Sequence, residues 1–275
     1  MTGLDLRPLS LGEILDRTFS LYKRHFLLFV GIAAIPNVIN LAAALMLGQN
    51  PNSIGVRSAA LTIVFGLVMA ILGLIVYIFA QGGTILALTD LYLGRTTSIA
   101  NSLKRIWPEL GSLFGVIFLN GLVTLAAALL LVIPGIYVGC RLLVCMPAAV
   151  VERRTPRDSL SRSWNLTRDY AGRAFLIFLI FTVLSVGIGE LVDLPFTRAI
   201  SIAKTPEVLR FWSALLQIVN SVVNIFISPI LLIATSLFYF DLRVRKEAFD
   251  LQFMMDPTSE HLAGPGSGSV PSILG

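Results

Sequence analysis

No charged residue occurs between Phe26 and Leu47, between Ser58 and Thr89, or between Leu110 and Cys140. Runs of this length constrain the fold more than any other feature of the chain. About 20 mainly apolar residues in helical form cross the hydrocarbon core of a bilayer, and lipid offers no partner to an unpaired backbone group. A soluble fold would have to bury every run, and its surface would need charge that the chain lacks. Charged residues make up 13% of its 275 positions, against about 25% in ordinary soluble domains. The expected class is therefore an all-α integral membrane protein.

Six spans are expected. Phe26–Leu47 and Ser58–Thr89 are the first two. The third run stays apolar to Val151, too far for one crossing, and Pro134-Gly135 punctuates it. Proline beside glycine marks a turn, which divides the run into spans at about 110–133 and about 136–151. Ala174 to about Val192 supplies the fifth span and Phe211–Phe240 the sixth. With the N-terminus inside, sixteen of the 21 basic residues fall on inner segments and four on outer ones, with Arg141 inside a span. Lys and Arg collect on the cytoplasmic side, so both termini are expected in the cytoplasm.

The net charge of +5 then reflects topology and attraction to anionic headgroups. Membrane lipids are the expected partners, with a protein partner as a second possibility and nucleic acid excluded. Arg7–His25 is amphipathic and charged, without the apolar core and cleavage site of a signal peptide. Cys140 and Cys145, inside the fourth span, are expected as small packing residues.

Three segments look alike: SLGEILDRTFSLYKRHF from Ser10, SIANSLKRIWPELGSLF from Ser98 and SLSRSWNLTRDYAGRAF from Ser159. Each opens on serine followed by an aliphatic residue. Each places a large apolar side chain at the sixth position (Leu15, Leu103, Trp164) and ends on phenylalanine (Phe26, Phe114, Phe175). Each leads into a span that is followed by another, and internal similarity of this kind marks a repeated structural unit. In the first copy Leu11, Ile14, Leu15, Phe19, Tyr22 and Phe26 share one helical face, and Ser10 with Glu13 has capping-box spacing. Basic residues on the opposite face suit the headgroup interface. The expected architecture is six transmembrane helices in three hairpin units (about 10–95, 98–152 and 155–250), each preceded by an amphipathic interfacial helix. Trp107 and Trp164 are expected as interface anchors. Residues 1–252 form the polytopic domain, and the Gly-, Pro- and Ser-rich 253–275 reads as a flexible tail.

The stretches RPLSLGEILDRTFSLYKRHF, IPGIYVGCRLLVCMPAAVVERRTPRDSLSRSWNLTR and LFYFDLRVRKEAFDLQ resemble the membrane domain family of glycerophosphoryl diester phosphodiesterases and its stand-alone membrane relatives. The resemblance runs from about Leu6 to Gln252. It implies a multi-pass protein of a bacterial or archaeal cytoplasmic membrane. In that family the domain can precede a soluble phosphodiesterase barrel; residues 253–275 are too few for one, so no phosphodiesterase activity is expected here.

Phosphodiester hydrolysis draws on carboxylates, histidines and often a metal. The two histidines, His25 and His261, have no evident partners, so no catalytic residue, cofactor or metal ligand is assigned. Polar groups inside the spans are Asn37, Asn40, Asn120, Gln217, Asn220 and Asn224, and Pro36, Pro147 and Pro229 are placed to break helices near a site. Interhelical hydrogen bonding is the alternative role for these amides. Counted from Pro134, Arg141 lies roughly 10 Å deep. There an unpaired arginine costs at least about 2.5 kcal/mol, so a pairing with Glu190, or with Asp193, is expected. The resulting reading is a non-enzymatic polytopic membrane protein organising lipids or partner proteins at the cytoplasmic face. The alternatives are a transporter or lipid-handling protein and the partner subunit of a membrane phosphodiesterase.

Overall fold

The computed structural model describes residues 8–48 and 56–247; within these, side chains are described except for 47–48 and 56–62. The expected tail at 253–275 lies outside the described residues. All regular structure among them is helical: α1 (Leu11–Arg24), α2 (Phe26–Gly48), α3 (Val56–Tyr92), α4 (Ile99–Ile106), α5 (Leu110–Leu130), α6 (Val132–Arg141), α7 (Cys145–Glu152), α8 (Pro156–Leu166), α9 (Ala171–Ser201) and α10 (Pro206–Glu247). A 3-10 turn at Trp107–Glu109 links α4 to α5. Six segments are long and apolar enough to cross a membrane, with α4–α5 and α6–α7 each counting as one. Neighbours in sequence pack together, α2 on α3, α5 on α6 and α9 on α10, and α10 packs equally closely on α2.

The long helices exceed the expected spans. At 1.5 Å per residue α3 is about 55 Å long and α10 about 63 Å, roughly twice the hydrocarbon thickness. The surplus length forms a protein core. From Ile78 onward α3 is largely buried, and so is α10 from Pro229 to Leu242, whereas Ile63, Leu67 and Ile71 on α3 are exposed. The molecule therefore has a densely packed end, where the charged segments gather, and a far end whose apolar side chains face outward.

The short helices close over that packed end. Ser10 caps α1 as its spacing predicts: the Glu13 amide donates to the Ser10 hydroxyl, and the Ser10 amide to the Glu13 carboxylate at 2.7 Å. The α1 face built on Ile14, Thr18 and Tyr22 is buried and packs chiefly against α10, with Phe19 at its exposed margin. Protein rather than lipid covers this face. Ser98 caps α4 likewise, but α8 begins a turn earlier than its copies suggest. Thr155 is its cap, and Ser159 is buried mid-helix, donating to the Thr155 carbonyl.

One carboxylate ties the chain's start to its end. Asp241, buried on α10, accepts from the Leu9 amide at 2.7 Å, from Arg173 at 3.1 Å and from Arg245 at 3.0 Å. Both arginines also donate to the Leu9 carbonyl at 2.6 Å, so the peptide before α1 is held from both sides. Glu152 gathers a second cluster. It accepts from Tyr239 at 2.6 Å and from Arg162 at 2.9 Å, with Arg154 and Arg243 close by. Arg162 also pairs with Glu247. Burial opposes the charge on Arg162, but the Glu247 and Glu152 carboxylates outweigh it and raise its pKa further.

Two sequence expectations shift in the α5–α7 region. The turn is at Leu131 rather than Pro134-Gly135, and Pro134 sits in the first turn of α6, where its missing N–H is no loss. A second break, at 142–144, separates α6 from α7. The Pro147 ring would clash with the Leu143 carbonyl of a continuous helix, and the chain turns there instead.

Candidate functional site

A cavity of about 370 Å³ opens between α2, α3, α9 and α10, just beyond the packed core. Two prolines shape it. Pro36 in α2 and Pro229 in α10 each delete a helical hydrogen bond and displace the carbonyl four residues earlier, and both line the space. Close packing between α2 and α3 continues at Gly73, where any Cβ would strike the Asn40 amide.

Four of the six amides singled out in the sequence, Asn37, Asn40, Asn220 and Asn224, meet in this lining. Gln81, Thr84 and Ser185 join them, and Tyr77, Asn40 and Asn224 are exposed at its margin. Several of these groups spend a donor on their own helices. Asn37 donates to the Ala33 carbonyl at 2.8 Å, Asn224 to the Asn220 carbonyl at 2.8 Å, and Thr84 to the Ala80 carbonyl at 2.9 Å. Each amide keeps its oxygen and a second N–H, so the lining presents acceptors together with donors.

The same stripes run on past the cavity. On α9, Ser185 and Gly189 are followed one turn later by Asp193; on α10, Asn224 and Asn220 are followed by Gln217. Asp193 Oδ1 and Gln217 Oε1 are both buried without a hydrogen-bond partner. The rings of Phe196 and Trp212, 6.3 Å apart between centroids, set the antiparallel register of the two helices. Counted from that contact, Asp193 and Gln217 sit at heights within about 3 Å of each other along the helix axes.

Asn120 stands apart. It donates to Cys145 Sγ at 3.3 Å and accepts from Thr124, a packing link between α5 and α7. Both cysteines are buried and free. Among the described residues no three His, Cys, Asp or Glu side chains are grouped to hold a metal ion.

The expected pairing of Arg141 with Glu190 or Asp193 does not form. Glu190 is exposed on α9, and Arg141 turns toward α8. Its guanidinium donates to the Tyr137 hydroxyl at 3.0 Å and to the Trp164 carbonyl at 2.6 Å, with its carbon 4.3 Å from the Trp164 ring centroid. The break at 142–144 explains the contact. Cys145 N donates to the Leu142 carbonyl, so the Arg141 carbonyl loses its helical donor, and Ser163 at 2.8 Å and Thr167 at 2.9 Å replace it. Those hydroxyls draw the end of α8 onto the kink. Trp164 therefore serves Arg141 while keeping part of its ring exposed, and Trp107 is the more exposed of the two. Pro147 was the sequence signal for this arrangement; the missing step was to place the break four residues before it.

Comparison of the chain with protein-family models, with curated proteins and with solved structures finds no match in any of the three.

Proposed function

We propose that the protein is a non-enzymatic, multi-pass membrane protein that organises lipid by holding the uncharged head of a hydroxyl-bearing lipid, of the diacylglycerol or glycosyl-diacylglycerol class, in the cavity between α2, α3, α9 and α10. The observation that carries this reading is the convergence of Asn37, Asn40, Asn220 and Asn224 on one cavity whose lining has no lysine or arginine. A phosphate would find no cation there, whereas hydroxyl groups would find several amide oxygens free to accept. The reading includes both termini in the cytoplasm, from the basic bias, and three repeated units of a short helix with a hairpin, from the segment similarity. It also includes kinship with the membrane domain family of glycerophosphoryl diester phosphodiesterases, from the motifs between Leu6 and Gln252.

Native mass spectrometry of the protein extracted in mild detergent tests the cavity. A neutral lipid should remain bound and should be lost when Asn37 and Asn220 are both changed to leucine. Retention equal to the parent, or no neutral lipid on either protein, refutes the proposal. For the orientation, single cysteines can be labelled from outside in a Cys140→Ser, Cys145→Ser background. Label should reach positions 50–55 and spare position 155; the reverse pattern would invert the topology.

A further inference from the structure

The arginines at the packed end supply an internal control for Arg141. Those with low side-chain exposure each meet a carboxylate: Arg162 meets Glu152 and Glu247, Arg243 meets the same two, and Arg173 and Arg245 meet Asp241. Arg141 is only 4% exposed, yet among the described residues it forms no ion pair. Its partners, a tyrosine hydroxyl and a peptide carbonyl, are neutral, and its Nε is buried without any partner. A buried cation paired only with dipoles keeps most of its desolvation penalty. The carboxylate that couples to it at longer range, Asp169, is exposed and pairs with Lys246 at 2.8 Å, so among the described residues no anion meets the guanidinium directly.

The surroundings say what kind of anion fits. Tyr137 and Trp164 flank the guanidinium edge to face, centroids 6.2 Å apart, and both rings are partly exposed. The Tyr137 hydroxyl accepts from Arg141, which leaves its own proton free, and the Trp164 indole N–H has no acceptor among the described residues. Arg141 Nε, the Tyr137 hydroxyl and the Trp164 N–H are thus three donors without acceptors in one place. Such a set matches the several oxygens of a phosphate. Along α6 the stripe continues outward from Arg141 through Tyr137 to Ile133, which is 81% exposed. That apolar track suits an acyl chain. None of these residues lines the cavity described above.

We infer that Arg141, Tyr137 and Trp164 form a phosphate-binding site for a phospholipid, whose acyl chain lies along Tyr137 and Ile133 of α6. The guanidinium meets the phosphate beside the two rings and keeps its stacking on Trp164. This site is independent of the neutral-lipid cavity: its ligand is anionic, and its failure would leave the cavity reading untouched.

Dioctanoyl phosphatidylglycerol, dioctanoylglycerol and inorganic phosphate, each added to delipidated protein in detergent and read by native mass spectrometry, test the inference. Dioctanoyl phosphatidylglycerol should bind, and Arg141→Gln should weaken it about tenfold or more, the scale of a charge-assisted hydrogen bond in water-poor surroundings. Asn37→Leu with Asn220→Leu should leave that binding unchanged. Tyr137→Phe keeps the ring and loses the hydroxyl, so it should weaken binding by a smaller factor; it also serves as the readout if Arg141→Gln does not fold. Equal binding of dioctanoylglycerol at this site, undiminished after Arg141→Gln or Tyr137→Phe, overturns the inference. Displacement of the lipid by equimolar inorganic phosphate overturns its lipid part and leaves a free-phosphate site.

Discussion

The two ends of this molecule are stabilised by different physics. At the packed end Phe238, Tyr239, Phe240 and Asp241 on α10 are almost wholly covered, and carboxylates join α1, α7, α8, α9 and α10. At the far end Leu129, Leu130, Leu131, Val132 and Ile133 are each about 70% exposed or more. Water drives apolar groups together, whereas lipid tails are as apolar as leucine and supply no such drive between helices. The packed end thus folds as a soluble protein does, around a core whose carboxylates are paired. The far end relies on close backbone approach and surrounding lipid. The neutral-lined cavity lies where one regime gives way to the other, and the cost of opening helices there is correspondingly small.

The difference can be tested most severely at Asp241. Asp241→Ala leaves Arg173 and Arg245 without their carboxylate and the Leu9 amide without its acceptor. Removing one partner of a buried ion pair costs about 3–5 kcal/mol; both arginines are partly exposed, so about 3 kcal/mol is expected. Leu130→Ala, at the outward-facing far end, should stay within about 0.5 kcal/mol. Unfolding in detergent, followed by circular dichroism, measures both. Similar losses for the two variants would abolish the contrast.

The far end should still have one rigid point. Gly135 on α6 packs so tightly on α5 that an added Cβ would sit 2.7 Å from Ala128 Cα, a backbone atom that cannot move aside alone. Gly135→Ala should therefore cost about 1–3 kcal/mol, far more than Leu130→Ala nearby. A neutral result would mean that α5 and α6 are held by lipid alone. A smaller effect belongs to the packed end: Tyr239→Phe removes the 2.6 Å hydrogen bond to Glu152 while its arginine partners stay, so about 1 kcal/mol should be lost. A loss as large as that of Asp241→Ala would move the keystone of this end from Asp241 to Glu152.

What could be read from the sequence follows the same division. The spans and the Ser10–Glu13 cap were legible because each depends on local pattern, either a run without charge or two polar residues three apart. The six intramembrane amides were visible one by one, since a polar side chain in an apolar run must find a partner or a cavity, and four of them line the same cavity. Their convergence was not legible, because it depends on α2 meeting α10, which lie far apart in sequence. The partner of Arg141 was misjudged for a physical reason. Treating α6 and α7 as one straight helix put Arg141 beside the far half of α9, whereas the break before Pro147 turns it to α8. The Asp241 lock shows the other limit: Leu9 and Asp241 are 232 residues apart, and no periodicity connects them.

The smallest expected effect lies at the hinge between the two regimes. His25 joins α1 of the packed end to α2, which leads to the far end. Partial burial, and then the neighbouring Arg24 charge, hold its pKa below the ordinary histidine value of 6.5. The unfolded chain therefore takes up this proton at a higher pH than the folded one. As pH falls through 6.5, the unfolded state gains the proton first and the folded state loses stability relative to it. The loss levels off once the pH passes below the folded pKa; above 6.5 His25 contributes no slope. His25→Gln should remove this increment, so the stability difference between pH 7.5 and pH 5.5 becomes smaller in the variant than in the parent. Other groups titrate in the same range, and the parent-minus-variant difference isolates His25 from them. If that difference is independent of pH, the α1–α2 junction is solvated like a surface loop, and the packed end stops short of it.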